Sequence, residues 1–146
     1  MSDAVADELA IRHLVSAYAD AVNRRDKALW ASTWAEESVW DLSAFSAEGK
    51  ADIVQLWEGA MAGFEFVAQI VHQGTLEIDG DQATGRWYLQ ENLKPVDSTK
   101  GRFSLGTYVD EYVKQEGRWL FSSRKYHVFY SEEGEGVTAG AVTPIP

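Results

Sequence analysis

The sequence predicts an α+β domain in which three N-terminal helices pack on a long curved antiparallel sheet, forming a conical barrel with a pocket. Apolar residues recur at helical spacing up to about residue 63, and from Phe64 onward they alternate with a period of two. Turn sequences at residues 79–81 and 116–117 divide this second half into long hairpins. Helices followed by hairpins indicate an α+β layout, not alternating βαβ units.

The first half of the chain is predicted to hold three helices and one short strand. Asp3 or Asp7 is a candidate N-cap of the first helix, and Asp26 of the second. Val39 and Trp40 favour β structure. The predicted helices cover residues 4–24, 26–34 and 50–63, and the strand covers residues 38–42.

The second half is predicted to hold four long strands, at residues 65–79, 82–95, 103–114 and 118–130. The domain is therefore expected to cover residues 1–130. Residues 131–146 are rich in Gly, Glu and Thr, so we expect a C-terminal tail that is loose or packs only on a partner.

Composition excludes several classes of function. The chain has 146 residues, the usual size of one domain, and a formal net charge of −10, which disfavours nucleic acids and anionic membranes as partners. It has no Cys, so thiolate catalysis, disulfides and Cys-ligated zinc are excluded. We find no signal sequence or apolar membrane span, and a cytoplasmic protein is expected.

Several segments together resemble one known family across roughly residues 5–130. The segments are YADAVNRRD at residues 18–26, WASTW at 30–34, VWD at 39–41, His72, DGDQATGRWY at 79–88, YVDEY at 108–112 and EGRW at 116–119. Together they look like the SnoaL-like branch of the nuclear-transport-factor-two-like superfamily, and they most resemble scytalone dehydratase, bile-acid dehydratase and hexachlorocyclohexane dehydrochlorinase.

The resemblance implies a His that removes a proton and an Asp on the first helix that orients it. His72 matches the family His by position, and Asn23 falls where the Asp is expected. Asn23 could orient the imidazole but carries no charge. The leading hypothesis is a cofactor-free, dehydratase-like lyase or isomerase acting on a small, mostly apolar cyclic substrate. The alternative is a non-catalytic small-molecule-binding domain, because Asn23 replaces the acid.

A third hypothesis uses a carboxylate in place of the His. Glu91 shares one strand face with Trp87 and Leu89, and that face matches the pocket side of the relatives. Glu91 would then be the base and Tyr18 the oxyanion donor, as in a ketosteroid isomerase. Asp20 is a weaker substitute, because it lies about 60° from Asn23 around the helix.

The remaining candidates line the predicted pocket. A buried Arg124 would demand a carboxylate, either Glu91 or a substrate acid. His13 and His127 are expected to face away from the pocket, and the scattered His residues predict neither a metal site nor a cofactor. A homo-oligomer, dimer or trimer, is expected by analogy. The predicted substrate-binding residues are Trp40, Trp57, Trp87, Leu89, Tyr108, Arg124 and Tyr126.

Overall fold

The computed structural model describes residues 3–146 and has the predicted order of helices and strands. The elements are α1 (Ala4–Arg24), α2 (Lys27–Ser32), β1 (Trp34–Asp41), β2 (Ser46–Glu48), α3 (Lys50–Ala62), β3 (Phe64–Asp79), β4 (Gln82–Pro95), β5 (Gly101–Gln115) and β6 (Arg118–Gly134).

The strands of the described chain form one six-stranded sheet in the order β2-β1-β6-β5-β4-β3. Strands β3 to β6 are joined by antiparallel pairing, as the hairpin turns predict. Strand β1 pairs in parallel with β6, so the curved sheet is mixed. The sheet does not close, because β2 and β3 at its two ends are not paired with each other. The predicted α+β class, with N-terminal helices on a curved sheet, is confirmed.

The second helix and the first strand differ from their predicted limits. Helix α2 ends at Ser32 and β1 begins at Trp34. The Thr33 hydroxyl donates to the Trp30 carbonyl (2.7 Å), and the Thr33 carbonyl accepts from the Phe121 N–H (2.9 Å). This second bond commits the chain to the sheet, so the helical pattern cannot continue to Trp34.

The ends of α1 are fixed by specific residues. Asp3 caps its start by accepting from the N–H groups of Val5 (3.0 Å) and Ala6 (3.3 Å). Arg25 ends it in the left-handed conformation (φ 55°). Asp7 is instead buried, where its carboxylate accepts from Lys114 and from the Trp119 indole, both at 2.9 Å.

Aromatic residues fill the space where α2, α3 and β1 meet. The Trp30 ring stacks on Trp57 at 4.7 Å with an interplanar angle of 12°, and it meets Trp40 edge-on at 5.3 Å. Trp34 packs on Trp30 at 5.6 Å. These rings join α2, α3 and β1 in one core.

Strand β6 runs past its predicted end at residue 130 and reaches Gly134. A turn beyond it packs on the start of β5, where a Cβ at Gly101 would lie 2.0 Å from the Val137 carbonyl. The Thr138 hydroxyl contacts the Asn92 side chain (3.3 Å) and the Arg102 carbonyl (3.4 Å). The first part of the predicted tail thus packs on its own chain. Within residues 3–146, no helix is both long and apolar enough to cross a membrane.

Candidate active site

A cavity of about 480 Å³ lies between the helices and the inner face of the sheet. Most of its wall is apolar, and most of its polar groups come from β3 to β6 and from α1. The apolar wall is formed mainly by side chains from β1, the loop after it, α3 and the start of β3, principally Trp40, Leu42, Phe45, Trp57, Met61 and Phe64. A cavity of this size and character suits a small apolar ligand.

Glu91 on β4 supplies a carboxylate to this cavity. Its Oε2 accepts from Gln69 Nε2 (3.1 Å) and its Oε1 accepts from the Tyr126 hydroxyl (3.2 Å). Burial raises the pKa of the Glu91 carboxyl, and those two hydrogen bonds together with the nearby Arg102 offset part of that effect. Among the described residues lining the cavity, Glu91 is the one acid.

Two tyrosines lie next to this carboxylate. The hydroxyls of Tyr18 on α1 and Tyr108 on β5 are 3.4 Å apart, and Gln69 Nε2 donates to the Tyr108 hydroxyl (3.2 Å). Burial raises the pKa of both hydroxyls, so both stay neutral and keep a proton to donate. Because the Tyr108 oxygen already accepts from Gln69, its proton can point to Tyr18 or to a ligand.

The buried ion pair of Arg124 and Asp110 packs against the rings of the two tyrosines. Arg124 Nε and Nη2 donate to the two oxygens of Asp110 at 2.9 and 3.1 Å. Tyr112 also donates to Asp110 (2.6 Å). The guanidinium carbon lies 3.6 Å from the Tyr108 ring centroid and 4.3 Å from that of Tyr18. Burial alone would lower the pKa of Arg124, but its interactions with Asp110, Tyr108 and Tyr18 together raise it, so the cation persists.

Arg124 therefore differs from its predicted role as a pocket-lining residue. Its carboxylate partner is Asp110, neither Glu91 nor a substrate acid. Its side chain is fully buried and does not line the cavity.

Gly106 makes room for Tyr126. A Cβ at this position of β5 would lie 2.8 Å from the Tyr126 ring. The absence of that carbon lets the ring lie against β5 while its hydroxyl reaches Glu91. The pKa of Tyr126 is raised, first by burial and then by the Glu91 charge, so this hydroxyl also remains protonated.

The structure places His72 outside the cavity, contrary to the predicted pocket position. The register of β3 with β4 shifts between Val71 and Gly74, and His72 lies exposed within this irregularity. The residue that meets Asn23 is Gln69. Asn23 Nδ2 donates to the Gln69 carbonyl (2.8 Å), and Asn23 Oδ1 accepts from the Gln69 N–H (2.7 Å). Asn23 and His72 therefore do not face a common cavity.

Of the other residues predicted to line the pocket, some are buried away from the cavity and the rest lie in its wall. Trp87 and Leu89 are buried on the inner face of β4, as expected, but neither lines the cavity. Trp87 lies deeper, where its indole donates to the Tyr112 hydroxyl (2.7 Å). His13 and His127 are exposed, although His127 borders the cavity wall. The residues found in the wall as predicted are Tyr18, Trp40, Trp57, Glu91, Tyr108 and Tyr126.

Sequence reasoning missed Gln69 and Arg102. Gln69 is only 3% exposed and pairs directly with Glu91 across β3 and β4. The period-two pattern held a usable signal, because a polar residue stands between Val67 and Val71 on the inner side of the strand. Arg102 directly precedes the predicted start of β5 at residue 103, so the alternation along that predicted strand does not include it. Within residues 3–146, no three His, Asp or Glu side chains gather as a metal site would require.

Comparison with known proteins identifies the family. The SnoaL-like domain profile matches residues 3–125. A sequence search of curated proteins found no match. The hexachlorocyclohexane dehydrochlorinase LinA-type3 from Novosphingobium barchaimii is 20% identical over 96% of this chain and 97% of its own, with a TM-score of 0.85. A candidate scytalone dehydratase from Novosphingobium aromaticivorans is 17% identical over 88% and 87%, with a TM-score of 0.81. At these identities the likeness shows a shared fold.

Proposed function

The chain belongs to the SnoaL-like domain family, and from this premise we propose a cofactor-free lyase or isomerase for a small, mostly apolar cyclic substrate. Glu91 is the proposed base. The observation that carries this proposal is a partly buried carboxylate in the wall of an apolar cavity, with neutral donors beside it. It replaces His72 as the proposed base, because His72 lies outside the cavity.

The proposed chemistry begins with proton transfer to Glu91. The carboxylate removes a proton from a carbon next to a substrate carbonyl, and a tyrosine hydroxyl donates to the oxygen that becomes negative. Tyr108 is the proposed donor, with Tyr18 behind it at 3.4 Å. Return of the proton to another carbon completes an isomerisation. In an elimination, the enolate electrons instead form a double bond as a hydroxyl or halide leaves the next carbon, and the hydroxyl takes the proton from Glu91 and leaves as water.

The neighbourhood of Glu91 suits a base that works near neutral pH. Its raised pKa makes it a stronger proton acceptor than an exposed carboxylate. The Tyr126 and Gln69 hydrogen bonds hold the carboxylate in one orientation. The Arg124 cation beneath the rings of Tyr18 and Tyr108 favours negative charge on an oxygen bound near them.

A binding domain without catalysis is the second candidate. It is favoured by Asn23, which stands where the resemblance predicts an acid, and by its partner Gln69. Both side chains are amides, and neither can exchange a proton near neutral pH. On this alternative, the cavity would bind the ligand and Glu91 would only orient it.

Deuterium exchange separates these candidates without knowledge of the product. Cyclic ketones, plain, hydroxylated or halogenated, are incubated in D₂O with the protein, and loss of the proton next to the carbonyl is followed by NMR. We expect exchange with the wild type and little with Glu91→Gln. Glu77→Gln, an exposed acid on β3, is the matched control. Ketones that bind but do not exchange would favour the binding domain.

We also propose a homo-oligomeric assembly in the cytoplasm. Large apolar side chains are exposed on the outer face of the sheet, and the Tyr88 and Phe129 rings meet there at 6.3 Å. A second copy is the proposed occupant of this face. Light scattering on the purified chain should give a dimer or trimer mass, and Tyr88→Lys should lower it. Cell fractionation tests the compartment.

A further inference from the structure

Arg102 brings a cation into the wall of the cavity. It lies on β5 on the same side as Tyr108, because residues 102, 104, 106 and 108 alternate toward the inner face. Within residues 3–146, its guanidinium makes no ion pair. Arg124, the arginine on the inner face of β6, instead donates to both carboxylate oxygens of Asp110. Arg102 therefore differs from Arg124 in combining a place in the cavity wall with the absence of an acid partner among the residues that the structure describes.

The nearby acids do not satisfy Arg102. Glu91 already accepts from Gln69 and Tyr126, and makes no direct bond to the guanidinium. Glu133 lies opposite Arg102 on β6 but is exposed and forms no ion pair with it. The fork of N–H donors therefore remains available to a ligand in the cavity.

We propose that Arg102 binds a carboxylate of the ligand, so the natural ligand is an apolar ring compound bearing one carboxylate. The inference rests on the proposed function only for the reacting end of the molecule, which would lie at Glu91. A single positive charge matches one carboxylate. A phosphate monoester carries close to two negative charges at neutral pH, so one of them would stay unmatched in an apolar wall.

The test compares two ligands of the same shape. Binding of 1-naphthaleneacetate and of its neutral amide, 1-naphthaleneacetamide, is measured by calorimetry. We expect the wild type to bind the carboxylate roughly tenfold more tightly, within the usual worth of a charged hydrogen bond. Arg102→Gln should bring the two affinities to within about twofold by lowering the carboxylate affinity alone, and Arg102→Lys should keep part of the preference.

Matched variants make the result specific. Arg86→Gln removes an exposed arginine from the outer side of β4 and should leave the preference unchanged. Glu133→Gln should keep or strengthen it, because the competing acid is gone. Equal affinities in the wild type, no binding of the carboxylate at millimolar concentration, or a preference that survives Arg102→Gln would each overturn the proposal.

The same assay separates this inference from the proposed function. Glu91→Gln should keep the carboxylate preference, because Arg102 is intact, and should lose deuterium exchange. A wild type that prefers the carboxylate but exchanges no ketone proton would overturn catalysis and support the Arg102 site. Loss of the preference in Glu91→Gln would overturn the Arg102 proposal, since the anion would then depend on the base.

Discussion

Two acids on neighbouring strands, the buried Asp110 and the partly buried Glu91, have very different surroundings. Asp110 receives two bonds from the Arg124 cation and one from Tyr112. Glu91 receives bonds only from the neutral side chains of Gln69 and Tyr126. Asp110 has a charge partner and no access to the cavity, whereas Glu91 has cavity access and no directly bonded charge partner. We therefore expect Asp110 to contribute to stability, and Glu91 is the acid that the proposed chemistry uses.

The largest expected effect comes from breaking the Asp110 pair. Arg124→Met should lower the free energy of unfolding by roughly 3–5 kcal/mol, because it leaves a carboxylate buried without its cation. Urea denaturation measures this change. Asp110→Asn combined with Arg124→Met should recover much of the loss. A loss below about 1 kcal/mol for Arg124→Met would contradict the structural role of the pair.

Glu91→Gln, in contrast, should lower activity without lowering stability. We expect exchange or turnover to fall roughly 100- to 10,000-fold, the usual worth of a general base. Stability should not fall at neutral pH, because the variant removes a buried charge while its amide oxygen can still accept hydrogen bonds.

The pH dependence of stability sharpens the same comparison. The folded-state pKa of Glu91 is raised by burial, so the unfolded chain gives up this proton first as pH rises. The wild type therefore loses stability from the ordinary glutamate pKa up through the raised one, and Glu91→Gln does not. The melting temperatures should be similar near about pH 4 and should diverge in favour of the variant toward about pH 7. Parallel curves would contradict the raised pKa.

Asn23→Ala should have an intermediate effect on stability. It removes two hydrogen bonds to the Gln69 backbone and leaves that N–H and carbonyl without their partner, a loss of about 1–3 kcal/mol. Thermal denaturation measures this change. Asn23→Asp should recover part of it, because one carboxylate oxygen can still accept from the N–H. Asn23→Ala with wild-type stability would show that water replaces the amide fully.

His72→Ala should have the smallest effect. The side chain is exposed on an irregular part of β3, so the unfolding free energy should change by less than about 0.5 kcal/mol. Exchange of the ketone proton should remain at the wild-type rate. A large loss of exchange at unchanged stability would place the imidazole in the mechanism and would remove the case for Glu91 as the base.

Local patterns predicted the elements, and alternation along β4 correctly predicted that Glu91 faces inward. The family resemblance predicted His72 in the pocket, whereas alternation counted from Gln69 and Val71 puts it on the opposite side of the strand, and the structure has it exposed. The partner of Arg124 depends on the register of β5 with β6, in which Asp110 lies directly opposite. The parallel pairing of β1 with β6 joins segments about 80 residues apart, and no short-range pattern encodes it.

The double hydrogen bond from Asn23 also affects how copies of the chain can associate. Strand β3 is the last strand of the sheet, so its outer backbone groups are open to another strand. At Gln69 one amide side chain occupies both the N–H and the carbonyl, as a residue of a seventh strand would. Helix α1 thereby blocks the middle of this edge, and strand addition there would first require breaking these two bonds.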